Sequence, residues 1–366
     1  MQSHNRSSRA IDPAKTGKDN SGRKFELQTI SNQLFAGGDI VIETIQAYAA
    51  HPLFQLAIFI AANALMVWRL HMMESKGFEG TVLGTLIMPY CSGFPNLVFA
   101  YVMSQSPGNG GAVIDNCLVN NATNLTFILG MAALFGSAAI LPKTKAQQKK
   151  HKVFSRINRL NLLFTLIALF LFTGTLWALA KDGELNFYDG LILVGLFVFW
   201  QILHMFEVMK DNARNEKSIH WSIIIDLALI AVSAYGIYFS VNHLVDWSAT
   251  TQNPLFSFAK IGWVSGLLMV LPNAFLALYY AYIGRQDIVL TSQVGDGHIC
   301  IPMCIGLFSV IDTARIPDTF QTGIYIILGA ALVLFLSIAA LGRIPRFAGA
   351  GLIGAYAFFL YNGLIQ

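Results

Sequence analysis

From about residue 50 onward the chain is a succession of apolar stretches, each about the 20 residues that an α-helix needs to cross a bilayer. Inside lipid every backbone N–H and C=O must find its partner within the chain, so such stretches fold as helices or not at all. Breaks between the runs place ten spans near 53–70, 80–103, 112–141, 160–180, 187–209, 220–244, 257–284, 287–311, 320–342 and 345–365. Composition agrees: 55% of residues are hydrophobic and only 12% charged, about half the charge of an ordinary soluble domain. The expected fold class is all-α integral membrane, and the lipid bilayer is its first partner.

Residues 1–50 form a polar N-terminal tail of mixed charge, without the apolar core of a secretory signal, and residues 35–50 carry a weak surface-helix pattern. The loops and helix ends after the odd-numbered spans hold 15 of the 24 Lys and Arg, those after the even-numbered spans 3. Positive loops stay in the cytoplasm. This bias predicts a multi-pass protein of the plasma (inner) membrane, with the odd loops cytoplasmic and both termini outside. Basic residues distributed this way report orientation, so no nucleic-acid partner is expected. Cys91, Cys117, Cys300 and Cys304 all fall within spans, which argues against a disulfide framework.

Two polar interruptions recur at matched places. "FPNLVFAY" aligns with "LPNAFLAL" at an offset of 177, pairing Pro95 with Pro272 and Asn96 with Asn273. "NNATNLTFILG" aligns with "DGHICIPMCIG" at 176, pairing Asn120 with Asp296, Asn124 with Cys300 and Gly130 with Gly306. Two related halves of five spans must lie in opposite orientations. The expected organisation is therefore two inverted-topology repeats, 51–210 and 211–366. Helices broken at Pro95 and Pro272 would open backbone and side-chain oxygens to a shared midplane site, the physical pattern of a secondary transporter. The alternative is that each Pro-Asn pair only kinks a helix.

At these residues the chain resembles the calcium/cation antiporter superfamily, the sodium/calcium exchanger type. There each repeat carries a G-T-S-x-P-E segment on its second helix and a G-S-N-x-x-N-like segment on its third. "CSGFPN" and "VNNATN" stand at these places in the first repeat, "LMVLPN" and "GDGHIC" in the second. The resemblance implies a cation transporter with Asn96, Asn120, Asn124, Asn273, Asp296 and Cys300 as ion-binding residues and Ser92 beside them. The departures carry chemistry. Both glutamates of the motif are Asn here, Met269 and Val270 replace its second Thr and Ser, and Asp296 is the single carboxylate at a motif position. Calcium wants six to eight oxygens and more negative charge than that. One carboxylate among amides suits a monovalent cation or a proton-coupled cycle, since a buried Asp can hold a proton.

Five residues leave two roles open. His298 is a proton relay to Asp296 or a structural hydrogen-bonder, and Asp226, in mid-span, is a functional carboxylate or a helix-pairing group. Asp115 is a gate residue or a charge at a helix end. Cys300 and Cys304, one turn apart and beside His298 and Asp296, fit a soft metal such as zinc, or are small apolar packing residues. "SPGNGG" lacks the Lys of a nucleotide loop, so neither an ATP-driven pump nor a cofactor is expected. A membrane-embedded enzyme using Asp296 with His298 is the alternative from another class, without any protease or serine-nucleophile signature around it. A non-transporting membrane protein is the third reading.

Overall fold

A computed structural model describes residues 51–75, 90, 93–105, 108–135, 148–212, 222–254, 256–282 and 286–365. The chain divides after Phe54, and Gln55–Gln366 form one compact unit. The helices follow the apolar runs. The first five are α1 (Pro52–Ser75), α2 (Phe94–Ser104), α3 (Gly110–Phe135), α4 (Gln148–Leu179) and α5 (Phe187–Asn212). The second five are α6 (Ser222–Thr250), α7 (Ile261–Tyr282), α8 (286–311), α9 (Phe320–Leu341) and α10 (Arg346–Leu360). Nine of the ten are long and apolar enough to cross a membrane, and α2, the described part of the span 80–103, is a shorter apolar helix. The protein is therefore a multi-pass membrane protein. The suggested surface helix at 35–50 lies outside the described residues.

Local chemistry sets the boundaries. Asn186 caps α5: its Oδ1 accepts from the Tyr188 and Asp189 N–H groups at 2.8 and 3.3 Å, while Asp189 Oδ2 accepts from the Asn186 N–H at 2.9 Å. That reciprocal pair is a capping box. α9 ends at Gly342, whose φ of +63° only glycine adopts without strain. Between helices a two-residue antiparallel ribbon joins β1 (Glu184–Leu185) to β2 (Ala314–Arg315), with Glu184 opposite Arg315.

The third helix of each half is interrupted in the same way. α3 changes from α to π geometry over Thr123–Ile128, and α8 does so over Cys300–Ile305, 177 residues further on. Packing repeats too. Gly130 of α3 lies against Gly349 of α10, and Gly306 of α8 against Gly190 of α5, so closely that a Cβ on any of the four would meet backbone at 2.7–3.1 Å. The third helix of each half thus seats on the fifth helix of the other. Gly262 and Gly266 of α7 meet the backbone of α3 at Ala112 and Asn116 in a second small-residue seam. Leucines, phenylalanines and tyrosines on the outer faces of α1, α4, α5, α6 and α9 stay exposed, as a lipid-facing surface requires.

Candidate ion-binding site

Among the described membrane-spanning helices α3 is the most enclosed, and it carries three of the polar side chains. Asn116, Asn120 and Asn124 recur every four residues and so share one face. Asn120 Nδ2 donates to Asn96 Oδ1 at 3.4 Å, and Asn124 Nδ2 donates to Asn120 Oδ1 at 3.1 Å. Asn124 Nδ2 also reaches Asp296 Oδ2 at 3.3 Å, where Asn273 Nδ2 donates at 3.1 Å. Cys300 Sγ donates to Asn120 Oδ1 at 3.7 Å. The six residues singled out by the two alignments therefore form one hydrogen-bonded cluster joining α2 and α3 to α7 and α8.

The cluster is graded in access. Asn96, Asn120, Asn124 and Cys300 are buried, at 5%, 3%, 1% and 1% exposure, whereas Asn273 and Asp296 are partly exposed. Asp296 has no cationic side chain beside it among the described residues; its salt-bridge role is taken by two neutral amides. Asn124 Oδ1 is buried without a hydrogen-bond partner. A lone carboxylate and a bare carbonyl oxygen, both neighbours of neutral donors, are the groups a hard cation would use.

The π segments hold this arrangement. A π turn widens the helix and leaves backbone groups out of register, and such turns gather at functional sites. Thr123 Oγ1 donates to the Val119 carbonyl at 2.7 Å, and Thr126 Oγ1 donates to that of Ala122, taking up carbonyls around the first segment. Asn121 folds back onto the Cys117 carbonyl at 2.7 Å, and Gly297 leaves it room: a Cβ there would meet Asn121 Oδ1 at 2.6 Å.

Other expected residues lie elsewhere. Pro95 sits in the first turn of α2, after Gly93, so the first repeat has a helix start within its second span. Pro272, by contrast, lies inside a continuous α7, and the break expected there is absent. An apolar helix tolerates a proline when neighbouring helices take up the freed carbonyl. His298 points away from Asp296: its Nε2 is 2.9 Å from the Thr165 carbonyl of α4, with the Phe172 and Trp200 rings edge-on at 5.4 and 5.2 Å. Two residues along a helix are about 200° apart, which separates the two side chains. Asp226 pairs with Arg69 of α1 at 3.5 Å and so ties α6 to α1. Asp115 accepts from Thr319 Oγ1 at 2.5 Å and meets Trp263, fastening the start of α3 to α7 and α9. Cys117, Cys300 and Cys304 are free buried thiols, and among the described residues no group of three His, Cys, Asp or Glu is arranged to hold a metal. Ser92 lies outside the described residues.

Residues 49–206 match the family model described as sodium/calcium exchanger protein. No curated protein matches the chain. Among solved structures, the sodium-calcium exchanger NCX_Mj soaked with 2.5 mM Na+ and 10 mM Sr2+ is 18% identical, with a TM-score of 0.59 over 87% of this chain and 98% of its own. The same exchanger soaked with zero Na+ and Ca2+ gives 17% identity and a TM-score of 0.57 over 88% and 99%. At that identity the likeness concerns the fold.

Proposed function

We propose that the chain is a divergent member of the calcium/cation antiporter superfamily, and from that premise that it is a secondary active cation transporter whose ion site is the Asn96, Asn120, Asn124, Asn273, Asp296 and Cys300 cluster. One observation carries the reading: a single carboxylate, Asp296, hydrogen-bonded among the described residues to neutral amides alone, closes a polar chain that runs from one half to the other. Side chains of that kind inside an apolar bundle cost several kcal/mol each unless something uses them, on the order of a lost buried partner.

The transported ion in this reading is monovalent, or its movement is coupled to a proton. Two carboxylates would offset a divalent cation; the cluster offers one. Members of this family are transporters rather than enzymes, and the separation of His298 from Asp296 speaks against their acting together as an acid-base pair. Orientation follows the loop charges: both termini outside and the basic stretch from Lys143 to Arg159 cytoplasmic. Repeats at 51–210 and 211–366 are the halves that would move against one another.

The test is direct. Thermal unfolding of the purified protein is followed with Na+, K+, H+, Ca2+ and Zn2+ in turn, since an ion bound only to the native state raises its stability. Stabilisation by a monovalent ion, lost in Asp296→Asn, is the expected result. Stabilisation by Ca2+ or Zn2+ alone, or an unchanged response in Asp296→Asn, would overturn the reading.

A further inference from the structure

Asn116 stands one turn before Asn120 on α3, and no motif singles it out. Its side chain is fully enclosed, at 0% exposure. The Nδ2 group donates to Ser265 Oγ at 2.8 Å and to Met269 Sδ at 3.3 Å, both on α7. Its Oδ1 is buried with no hydrogen-bond partner. A bare buried carbonyl costs roughly 1–3 kcal/mol. Native structures retain such an atom where a water, an ion or a function engages it.

Relief by repacking is closed off. Gly262 and Gly266 bring α7 onto the α3 backbone, and a Cβ at Gly266 would meet the Asn116 carbonyl at 2.8 Å and Val119 at 2.9 Å. Helices locked this closely cannot turn to offer Oδ1 another donor. Ser265 donates its own hydroxyl proton to the Gly262 carbonyl at 3.1 Å while accepting from Asn116, so its oxygen, too, presents a lone pair and no proton. Neutral oxygens with a lone pair still free suit a hard monovalent cation better than an anion or a soft metal. The four-residue spacing then lines up Asn116 with Asn120 and Asn124, over about 12 Å of helix at 1.5 Å per residue. Asn124 Oδ1, at the far end of this ladder, is bare in the same way.

We propose that Asn116 Oδ1 and Ser265 Oγ form a second coordination station for the transported monovalent cation, lying between the Asp296 cluster and the face where α3 begins. This rests on the transporter reading above. On that reading the face is the outer one, because α3 begins after an even-numbered loop, at residues 105–109. A cation arriving there exchanges part of its water for the two oxygens before it meets the carboxylate, and the station needs no charge of its own.

The experiment is a titration of thermal stability in purified full-length protein with NaCl, KCl or LiCl at constant ionic strength in choline chloride. Asn116→Leu keeps the volume and removes the oxygen; Asn116→Asp keeps the shape and adds charge. The stabilisation midpoint of the preferred ion should rise about tenfold in the first, the effect of one lost polar contact of average strength, and fall by about the same factor in the second. Midpoints within twofold of wild type in both variants would overturn the station, leaving a bound water only. Should Asn116→Leu fail to fold, an unchanged midpoint in Asn116→Asp overturns it alone. Asp296→Asn separates the two claims. Its loss of response beside unchanged Asn116 variants sinks the station and spares the transporter reading, whereas no monovalent response in wild type sinks both.

Discussion

In the first half Pro95 opens α2, and Asn96 follows it into a buried amide pair with Asn120; in the second, Pro272 lies inside an unbroken α7, and Asn273 reaches the cluster's carboxylate. Both halves place a π segment at the same point of their third helix. The scaffold is therefore shared while the furnishing differs. The first half contributes enclosed dipoles, the second a charge that remains partly accessible. A site built this way has one strong ligand and several weak ones, so its preference should follow the charge rather than the geometry of either half.

Moving the charge is the hardest test of that contrast. Asp296→Asn should weaken cation stabilisation by roughly a hundredfold, the scale of removing one partner from a buried charged site. Adding Asn120→Asp, the matched position of the first half, should bring it back to within about tenfold of wild type if the halves are chemically interchangeable. A double variant as unresponsive as the single one would show that only the second half can carry charge. Next in size is the seam between halves. Gly266→Val should lower stability by about 1–3 kcal/mol through overpacking against Asn116 and Val119, read as a lower unfolding temperature without cation. Gly329→Val, on α9 where a Cβ would meet nothing within 4 Å, should change little. A harmless Gly266→Val would mean that α3 and α7 are not locked.

The two prolines give the finer contrast. Pro272→Ala restores a donor inside α7 and should raise stability by about 1 kcal/mol, some of what an interior helix proline costs. Pro95→Ala removes a proline from a first turn, where the missing N–H had no helical partner, and should shift stability by no more than about 0.5 kcal/mol. Equal effects at the two sites would erase the difference in helix geometry between the halves.

Much of this was legible in the sequence, for reasons that also explain what was not. Ten spans came from apolar runs alone, because bilayer thickness fixes helix length regardless of packing. The six-residue cluster came from two short alignments, because polar residues inside apolar helices are few and a shared offset is hard to produce by accident. Asn116 escaped because it lies outside the two aligned segments, and its significance lies in an oxygen left bare by α7, a property of tertiary packing. The π segments have no residue signature: Thr123–Ile128 and Cys300–Ile305 share only one residue type, an isoleucine at their ends. Pro272 misled because a proline's effect depends on its neighbours, and in a tightly seated α7 the helix continues through it. His298 was placed beside Asp296 by sequence distance, whereas helical rotation sends it toward Thr165.

A π turn is what a helix does on absorbing one residue more than its hydrogen-bond ladder needs. Removing that residue would rewind the segment as α-helix and swing everything beyond it by about 100°, carrying Asn124 or Cys300 off its partners. The surplus residue stands 177 positions apart in the two halves, at the same point of the same helix. As a matter of descent, a single insertion in one ancestral half, followed by its duplication, accounts for both. On that hypothesis the insertion is older than the doubling, and a relative with a wide turn in one half only would count against it. The asymmetry of charge, with an amide in one half and a carboxylate in the other, then arose later, on a frame already fixed.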